Sequence, residues 1–415
     1  MEKKKGKIIR SAADAEPYFS ALYGGSAKAQ RERYEKLISR FVAEFGEAGY
    51  MASSSGRVEV IGNHTDHNGG VAVGCAVSLD TIAMFLPTGD GVITVKSEGY
   101  PDVRVQLGSA ERAPHGTSDA LIQGIAAGFA ARGYKTGGFT ALTSSNVSGG
   151  AGVSSSAAFE LLVCEILNFL YNGGKIGAKE KALVSQFSEN VYFGKPCGLL
   201  DQSAIAFGGL TLLNFDTKGD VKPTHIDNVL PDYTLVLIDT GGDHKHLTGE
   251  YASITEEMGK VSAFFGKERL IEVHEEEFYA RMPELKRAVN GRAIQRTIHF
   301  FEENKRVYAL AAALNDGDYV AFLDAVNESG FSSQTLLQNT YPAGDTDQAI
   351  PTALAIARRY LRGGANRVHG GGFAGTILNV VQNEYVAEFT ENMSKIYGGG
   401  KVVPLKVRSV GPIVL

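Results

Sequence analysis

The sequence predicts a two-domain chain that mixes helices and strands, on three observations. Its 415 residues exceed what one ordinary core organises and suit two closely joined domains. A helical apolar period runs through Phe159, Leu162, Val163, Ile166, Leu167 and Leu170, whereas 58–61, 233–240, 376–381 and 408–415 read as strands. Hydrophobic content of 44% with 21% charged residues is that of a globular protein.

Charge and composition then narrow the function classes. A net charge of −5 gives no reason to expect nucleic-acid or anionic-membrane binding, so any phosphate site must be local. The basic start, Met1 to Lys7, leads into no apolar segment of a secretory leader. No apolar run reaches the ~18 residues of a membrane span. The three cysteines Cys75, Cys164 and Cys197 are scattered, as expected of reduced thiols in a cytoplasmic protein, with Cys164 in core packing. A monomer is expected, and the 50 glycines, many in clusters, suggest tight loops close to a ligand.

The run Asn146-Val-Ser-Gly-Gly-Ala-Gly-Val-Ser-Ser-Ser-Ala-Ala158 is built to hold a polyphosphate. Gly149, Gly150 and Gly152 let backbone N–H groups approach an anion closely. Ser154, Ser155 and Ser156 add hydroxyls at the start of the helix that Asn172-Gly173-Gly174 ends. Free N–H groups and the helix dipole favour negative charge there. No Gly-Lys-Ser/Thr follows, so this is not a Walker A loop, and a nucleotide kinase of another lineage is expected.

Three further segments carry chemistry. Gly56 to Gly70 reads as a strand entering a polar loop, with Arg57, Asn63, His64, Asp66 and Asn68 clustered. Such a set recognises a polyol, and it is equally good Asx-turn chemistry. Asp201 lies between the loop Gly194 to Leu200 and a short helix, where it serves as a helix cap or as a functional carboxylate. Glu189, in the helical segment from Ala182 to Tyr192, is a surface carboxylate or a metal ligand. Gly370-x-Gly372-x-x-Gly375 has the form of a dinucleotide fingerprint, but a strand follows it where a helix is required, and that reading fails. Asp243-His-Lys-His246 lacks the partners of a metal site, and Glu275 to Glu277 is a solvated helical face.

Together these segments resemble the GHMP kinases, and within them the galactokinases. Gly56-Arg-Val-Glu-Val-Ile-Gly-Asn-His-Thr-Asp-His-Asn68 is similar to the signature Gly-Arg-Val-Asn-Leu-Ile-Gly-Glu-His-Thr-Asp-Tyr-Asn. The 145–158 run looks like the phosphate loop Gly-x-Gly-Leu-Ser-Ser-Ser-Ala. Pro196-Cys-Gly-Leu-Leu-Asp-Gln202 resembles Pro-Cys-Gly-Ile-Met-Asp-Gln, and 370–375 the third glycine-rich motif.

The resemblance implies a two-domain α+β fold with the active site in the cleft. An N-terminal mixed α/β domain over 1–190 would pack on a ferredoxin-like domain over 191–415. It implies transfer of phosphate from ATP to the C1 hydroxyl of D-galactose. By match, Asp201 would be the catalytic carboxylate and Arg57 the cation beside it. Ser156 and Glu189 would hold Mg²⁺, and Gly149 to Ser155 the ATP phosphates. Asn63, His64, Asp66, Gly198 and Tyr251 would meet the sugar, Tyr251 lying in Thr248-Gly-Glu-Tyr251, similar to Ser-Ser-Glu-Tyr.

The departures bear on the sugar. The signature Glu is Asn63, at a position facing the C6 hydroxyl in the family, its Tyr is His67, and Ser55 stands for a Pro. Asp239 to His246 replaces Asn-Ser-x-Val-Arg-His, and the family's frequent Trp near 117–128 is missing. A kinase for galacturonate, N-acetylgalactosamine or arabinose is therefore an alternative. A sugar and ATP sensor without turnover is another, against which the intact Ser155-Ser156-Ala157 stands.

Overall fold

The structure, a computed structural model, describes residues 6–24, 27–147, 152–227, 230–241 and 247–415. The strands described are β1 (Tyr50–Ile61), β2 (Val71–Pro87), β3 (Val92–Ser97), β4 (Val103–Gln106), β5 (Phe139–Ser145), β6 (Leu210–Phe215), β7 (Val221–Ile226), β8 (Tyr233–Asp239), β9 (Ala365–Val368), β10 (Thr376–Gln382), β11 (Val402–Leu405) and β12 (Ile413–Val414). They form two sheets. The first runs β12-β1-β2-β5-β3-β4, with β6 beside the start of β2 and β7 beside β6. Its pairs are antiparallel except β3 with β5.

Alternation places successive residues of this sheet on opposite faces. Met51, Ile82, Met84 and Leu142 face the helix Ala27–Phe45. Ala52, Ala83, Phe85 and Ala141 face the helices Ser118–Ala131 and Ser155–Asn172. Both faces are covered, so β1 is buried along almost its whole length although it includes Ser53, Ser54 and Ser55.

The second sheet has the order β11-β8-β10-β9, all antiparallel. Together with the helices between β8 and β9 and the helix Val386–Tyr397 before β11, this is the ferredoxin-like βαββαβ arrangement expected. Val236, Ile238, Ile377 and Val381 pack on Ala349–Arg358 and Val386–Tyr397. Leu235, Leu237, Leu378 and Val380 join one continuous core with Leu310, Leu314, Phe322 and the β1–β2 residues Val58, Val60 and Val73. The long helix Gly291–Asp316 carries that core from one sheet to the other.

Two expectations are corrected. The first sheet does not stop at residue 190: β6 and β7 belong to it, and β12 returns from the far end of the chain to pair with β1. The closing strand spans only Ile413–Val414 rather than 408–415. Arg408 is instead fully buried, donating from Nη1 to Ser53 Oγ at 2.7 Å and from Nη2 to Ser53 O at 3.1 Å. Its backbone meets β2: Arg408 N–H donates to Ala76 O at 2.8 Å, beside an isolated antiparallel bridge between Val407 and Val77.

Candidate active site

β1 brings Arg57 to the cleft at a register shift in its pairing with β2. The residues after the glycine run lie directly on this strand. Arg57 N–H donates to Val153 O at 3.1 Å, and a Cβ on Gly56 would stand 2.7 Å from that same carbonyl. Gly149 and Gly150, expected at the phosphates, and the loop Asp243 to His246 lie outside the described residues.

The helix Ser155–Asn172 starts here and ends at Gly173, whose φ of 59° is the left-handed cap expected. Ser154, at its N-cap, has a φ of 59° that is uncommon for a side-chain-bearing residue. That backbone turns its Oγ away from its own helix and onto Asp201 Oδ2.

Asp201 lies in the first turn of the helix Leu200–Phe207 but does not cap it. Its carboxylate is gripped by Arg57, Nε to Oδ1 at 2.7 Å and Nη2 to Oδ2 at 2.8 Å. The Arg57 side chain is 8% exposed and the Asp201 side chain 34%, so the pair is anchored below and open above. Burial alone would raise the Asp201 carboxyl; the Arg57 charge, with hydrogen bonds from Arg57 and Ser154, more than offsets it and holds the group below its ordinary value.

Such a depressed carboxyl contributes stability above its unfolded pKa and loses it as pH falls through the lower folded value. Arg57→Met removes the offsetting charge and leaves burial in command. The acid limb of kcat/KM is expected to move to higher pH in that variant, and an unmoved limb would separate Asp201 from the profile.

A second acidic group lies beside the first. Ser156 Oγ donates to Glu189 Oε1 at 3.0 Å. Glu189 comes from a widened π-helical turn, Ser188–Phe193, that follows the helix Ala178–Phe187. Single widened turns of this kind are frequent at functional sites. Gln202 Nε2 donates to Oε2 at 2.8 Å and Lys195 Nζ to Oε1 at 3.1 Å. Glu160, one turn beyond Ser156, is fully buried beside Glu189 and Gln202. Burial, reinforced by the charge of Glu189, pushes the Glu160 carboxyl well above the ordinary value.

Across the cleft, Asp66 presses on the backbone of 198–200. A Cβ on Gly198 would stand 1.7 Å from Asp66 Oδ2, so the glycine permits this approach, and Leu200 N–H points to the same oxygen at 3.4 Å. Burial raises the Asp66 carboxyl, and neighbouring Asp201 pushes it the same way. His64, with a φ of 58°, meets Gly371 O through Nε2 at 3.0 Å, and since a carbonyl oxygen only accepts, that nitrogen donates; burial lowers the ring's pKa. Tyr251 donates to Gly372 O at 2.9 Å, with its ring against Gly371, where a Cβ would come within 2.6 Å. The loop 370–375 therefore clamps His64 and Tyr251 together.

Asn63 departs from expectation. It is fully buried, and its Nδ2 donates to Glu59 Oε1 at 2.9 Å and Gly370 O at 2.7 Å. Its Oδ1 accepts from Asn339 Nδ2 at 2.6 Å. Protein groups occupy both ends of the amide, so Asn63 fastens the loop and presents nothing to the cleft. Beneath it Arg367, also fully buried, pairs with Glu59 at 3.1 Å.

Sequence reasoning missed four residues of this region. His369 accepts the Glu59 N–H through Nε2 at 3.1 Å, Asn339 holds Asn63, and Glu160 and Lys195 flank Glu189. Glu160 was within reach, being a carboxylate inside an apolar helical face four residues from Ser156. Asn339 and His369 become visible only once the two halves pack.

Fold and site together define a kinase of the GHMP class: a ferredoxin-like half closed over a helix N-terminus, with a carboxylate–arginine pair in the cleft. Family models agree. The galactokinase galactose-binding signature matches residues 39–87 and the GHMP kinases N terminal domain matches 120–209. The galactokinase of Clostridium tetani is 30% identical over 373 residues, covering 87% of this chain and 92% of its own. That of Mycobacterium bovis is 31% identical over 355 residues, covering 82% and 91%. The chain belongs to the galactokinase family. In fold, a Lactococcus lactis galactokinase solved in complex with galactose aligns at a TM-score of 0.79 and 23% identity, over 92% of this chain and 99% of that one. The Methanococcus jannaschii mevalonate kinase aligns at 0.61 and 14%, over 86% and 98%. No helix among the described residues is long and apolar enough to cross a membrane.

Proposed function

We propose that this chain transfers the γ-phosphoryl group of ATP to the C1 hydroxyl of D-galactose. The observation that carries the reading is the two-pronged Arg57–Asp201 pair, at 2.7 and 2.8 Å, between the phosphate-loop helix and the sugar-signature loop. Asp201 orients the C1 hydroxyl and accepts its proton. A carboxylate held below its ordinary pKa is a weak base, so it takes the proton late, as suits a loose transition state in which positioning dominates. Arg57 keeps Asp201 ionised and adds positive charge beside the transferring group. His64, Asp66 and Tyr251, drawn together by Gly198 and the 370–375 loop, face the sugar.

Ser156 and Glu189 are assigned to Mg²⁺. They offer two hard oxygens within 3.0 Å of each other. No group of three His, Cys, Asp or Glu side chains among the described residues is arranged for a metal, which suits an ion that keeps waters and phosphate oxygens as its other ligands. When bound, Mg²⁺ neutralises charge on the phosphates.

The case for another sugar rested on Asn63 and on the loop Asp243 to His246, and the occupied amide of Asn63 argues against the first of these. The test is ATP consumption with Mg²⁺ on galactose, galacturonate, N-acetylgalactosamine and arabinose. Galactose is expected to give the highest kcat/KM. A preference for any of the others would overturn the substrate while keeping the kinase.

A further inference from the structure

Lys195 immediately precedes the Pro196-to-Gln202 motif and reaches back to the same carboxylate that the reading above gives to Mg²⁺. The four contacts of Glu189 divide by oxygen. Oε2 takes Gln202 Nε2 at 2.8 Å and Cys197 Sγ at 3.3 Å, both neutral donors that fix the carboxylate plane. Oε1 takes Ser156 Oγ at 3.0 Å and Lys195 Nζ at 3.1 Å. Oε1 is thus the oxygen on the Ser156 side, and a lysine ammonium stands on it.

The two members of this ion pair are unequal. The Glu189 side chain is 3% exposed and that of Lys195 is 62% exposed. The carboxylate is fixed, while the lysine is held by its head and otherwise surrounded by water. Removing that head costs the protein no packing. Leaving Glu189 without a cation is costly, because the carboxylate is itself buried, its side chain 3% exposed. An ammonium and a divalent cation on one carboxylate oxygen repel each other at that range even in a polar medium, so each weakens the hold of the other.

We propose that Lys195 is a built-in competitor for the metal: its ammonium occupies Glu189 Oε1 in the metal-free protein and opposes the binding of a divalent cation there. Lys195 is in this sense a positioning residue. It keeps the acidic pocket neutralised and aligned without metal, and it weakens metal affinity by the energy of its own ion pair. The proposal rests on Glu189 and Ser156 being the metal ligands.

The experiment is direct titration of Mn²⁺ against the full chain without nucleotide, with free Mn²⁺ followed by electron paramagnetic resonance. Lys195→Met is expected to bind Mn²⁺ about two- to fivefold more tightly than the parent, the factor for an ion pair whose lysine is largely exposed. Lys195→Arg, which restores a cation on Glu189, returns the affinity towards the parent value. Lys179→Met, which removes a lysine paired with Asp220, leaves it unchanged and controls for net charge. A merely structural lysine would give the opposite sign, because a disordered Glu189 binds metal less well. Unchanged or weaker binding in Lys195→Met, including no detectable binding in any variant, overturns the proposal. Failure of the metal assignment has a separate signature: Glu189→Gln would bind Mn²⁺ as the parent does.

Discussion

Asp201→Asn is expected to lower kcat at least about 10²-fold, the low end for removing a positioned proton acceptor. Asparagine is nearly isosteric, so the helix Leu200–Phe207 is retained. Three things are lost together. The amide cannot take the C1 hydroxyl proton. It receives only one of the two Arg57 donors now held at 2.7 and 2.8 Å, because its NH₂ faces the other as a second donor. The Ser154 hydroxyl, now donating to Oδ2, must turn or find another acceptor. Because the proposed sugar contacts fall to His64, Asp66 and Tyr251, two of them held through Gly371 and Gly372, KM for the sugar should change far less than kcat. Steady-state kinetics with a circular-dichroism control would read this, and a turnover near the parent value would remove Asp201 from the chemistry.

Arg367→Leu is expected to cost about 3–5 kcal/mol of stability, the range for breaking a buried ion pair from one side. Arg367 on β9 is fully buried, and both its terminal nitrogens lie 3.1 Å from Glu59 Oε1 on β1. Its Nη1 also donates to Val60 O at 3.1 Å. The pair therefore joins the two sheets directly below the sugar-signature loop. Burial already raises the Glu59 carboxyl in spite of Arg367, and without the guanidinium nothing comparable opposes it. Glu59 would then fold as the neutral acid, and a protonated oxygen is a poorer acceptor for Asn63 Nδ2, now 2.9 Å away. Loosening should thus reach His64 and raise the sugar KM as well. Denaturant unfolding measures the first effect and kinetics the second; a loss under about 1 kcal/mol would mean that the junction is carried by apolar packing alone.

The chemistry-bearing segments were legible because they are local. A glycine-serine run before an apolar helical face can do little other than begin a helix on an anion site, and the helix Ser155–Asn172 starts and stops where the serines and Gly173 place it. The same holds for β10 and for the 58–61 end of β1, whereas the earlier part of β1, through Ser53 to Ser55, is a strand only because its neighbours bury it. The limits of the halves were not legible. Sheet membership depends on hydrogen bonds between distant strands, and β12 joins β1 across almost the whole chain. Arg408 shows the same limit: its segment reads as one closing strand, yet it meets β2 through an isolated bridge at Val407 and the strand on β1 is confined to Ile413–Val414.

Asn63 marks the boundary most clearly. A polar residue in a polar loop looks like a ligand contact, and only Glu59, Gly370 and Asn339, converging from three places in the chain, decide that its amide is already used. The sequence alone determined which residues are chemically able to act, since residue type and local period suffice for that. Tertiary structure alone decided which of them face the cleft and in what charge state. Burial, ion pairing and hydrogen-bond occupancy are properties of neighbours, and the deciding neighbours of Asp201 and Asn63 (Arg57, Gly370 and Asn339) come from segments far away in the chain.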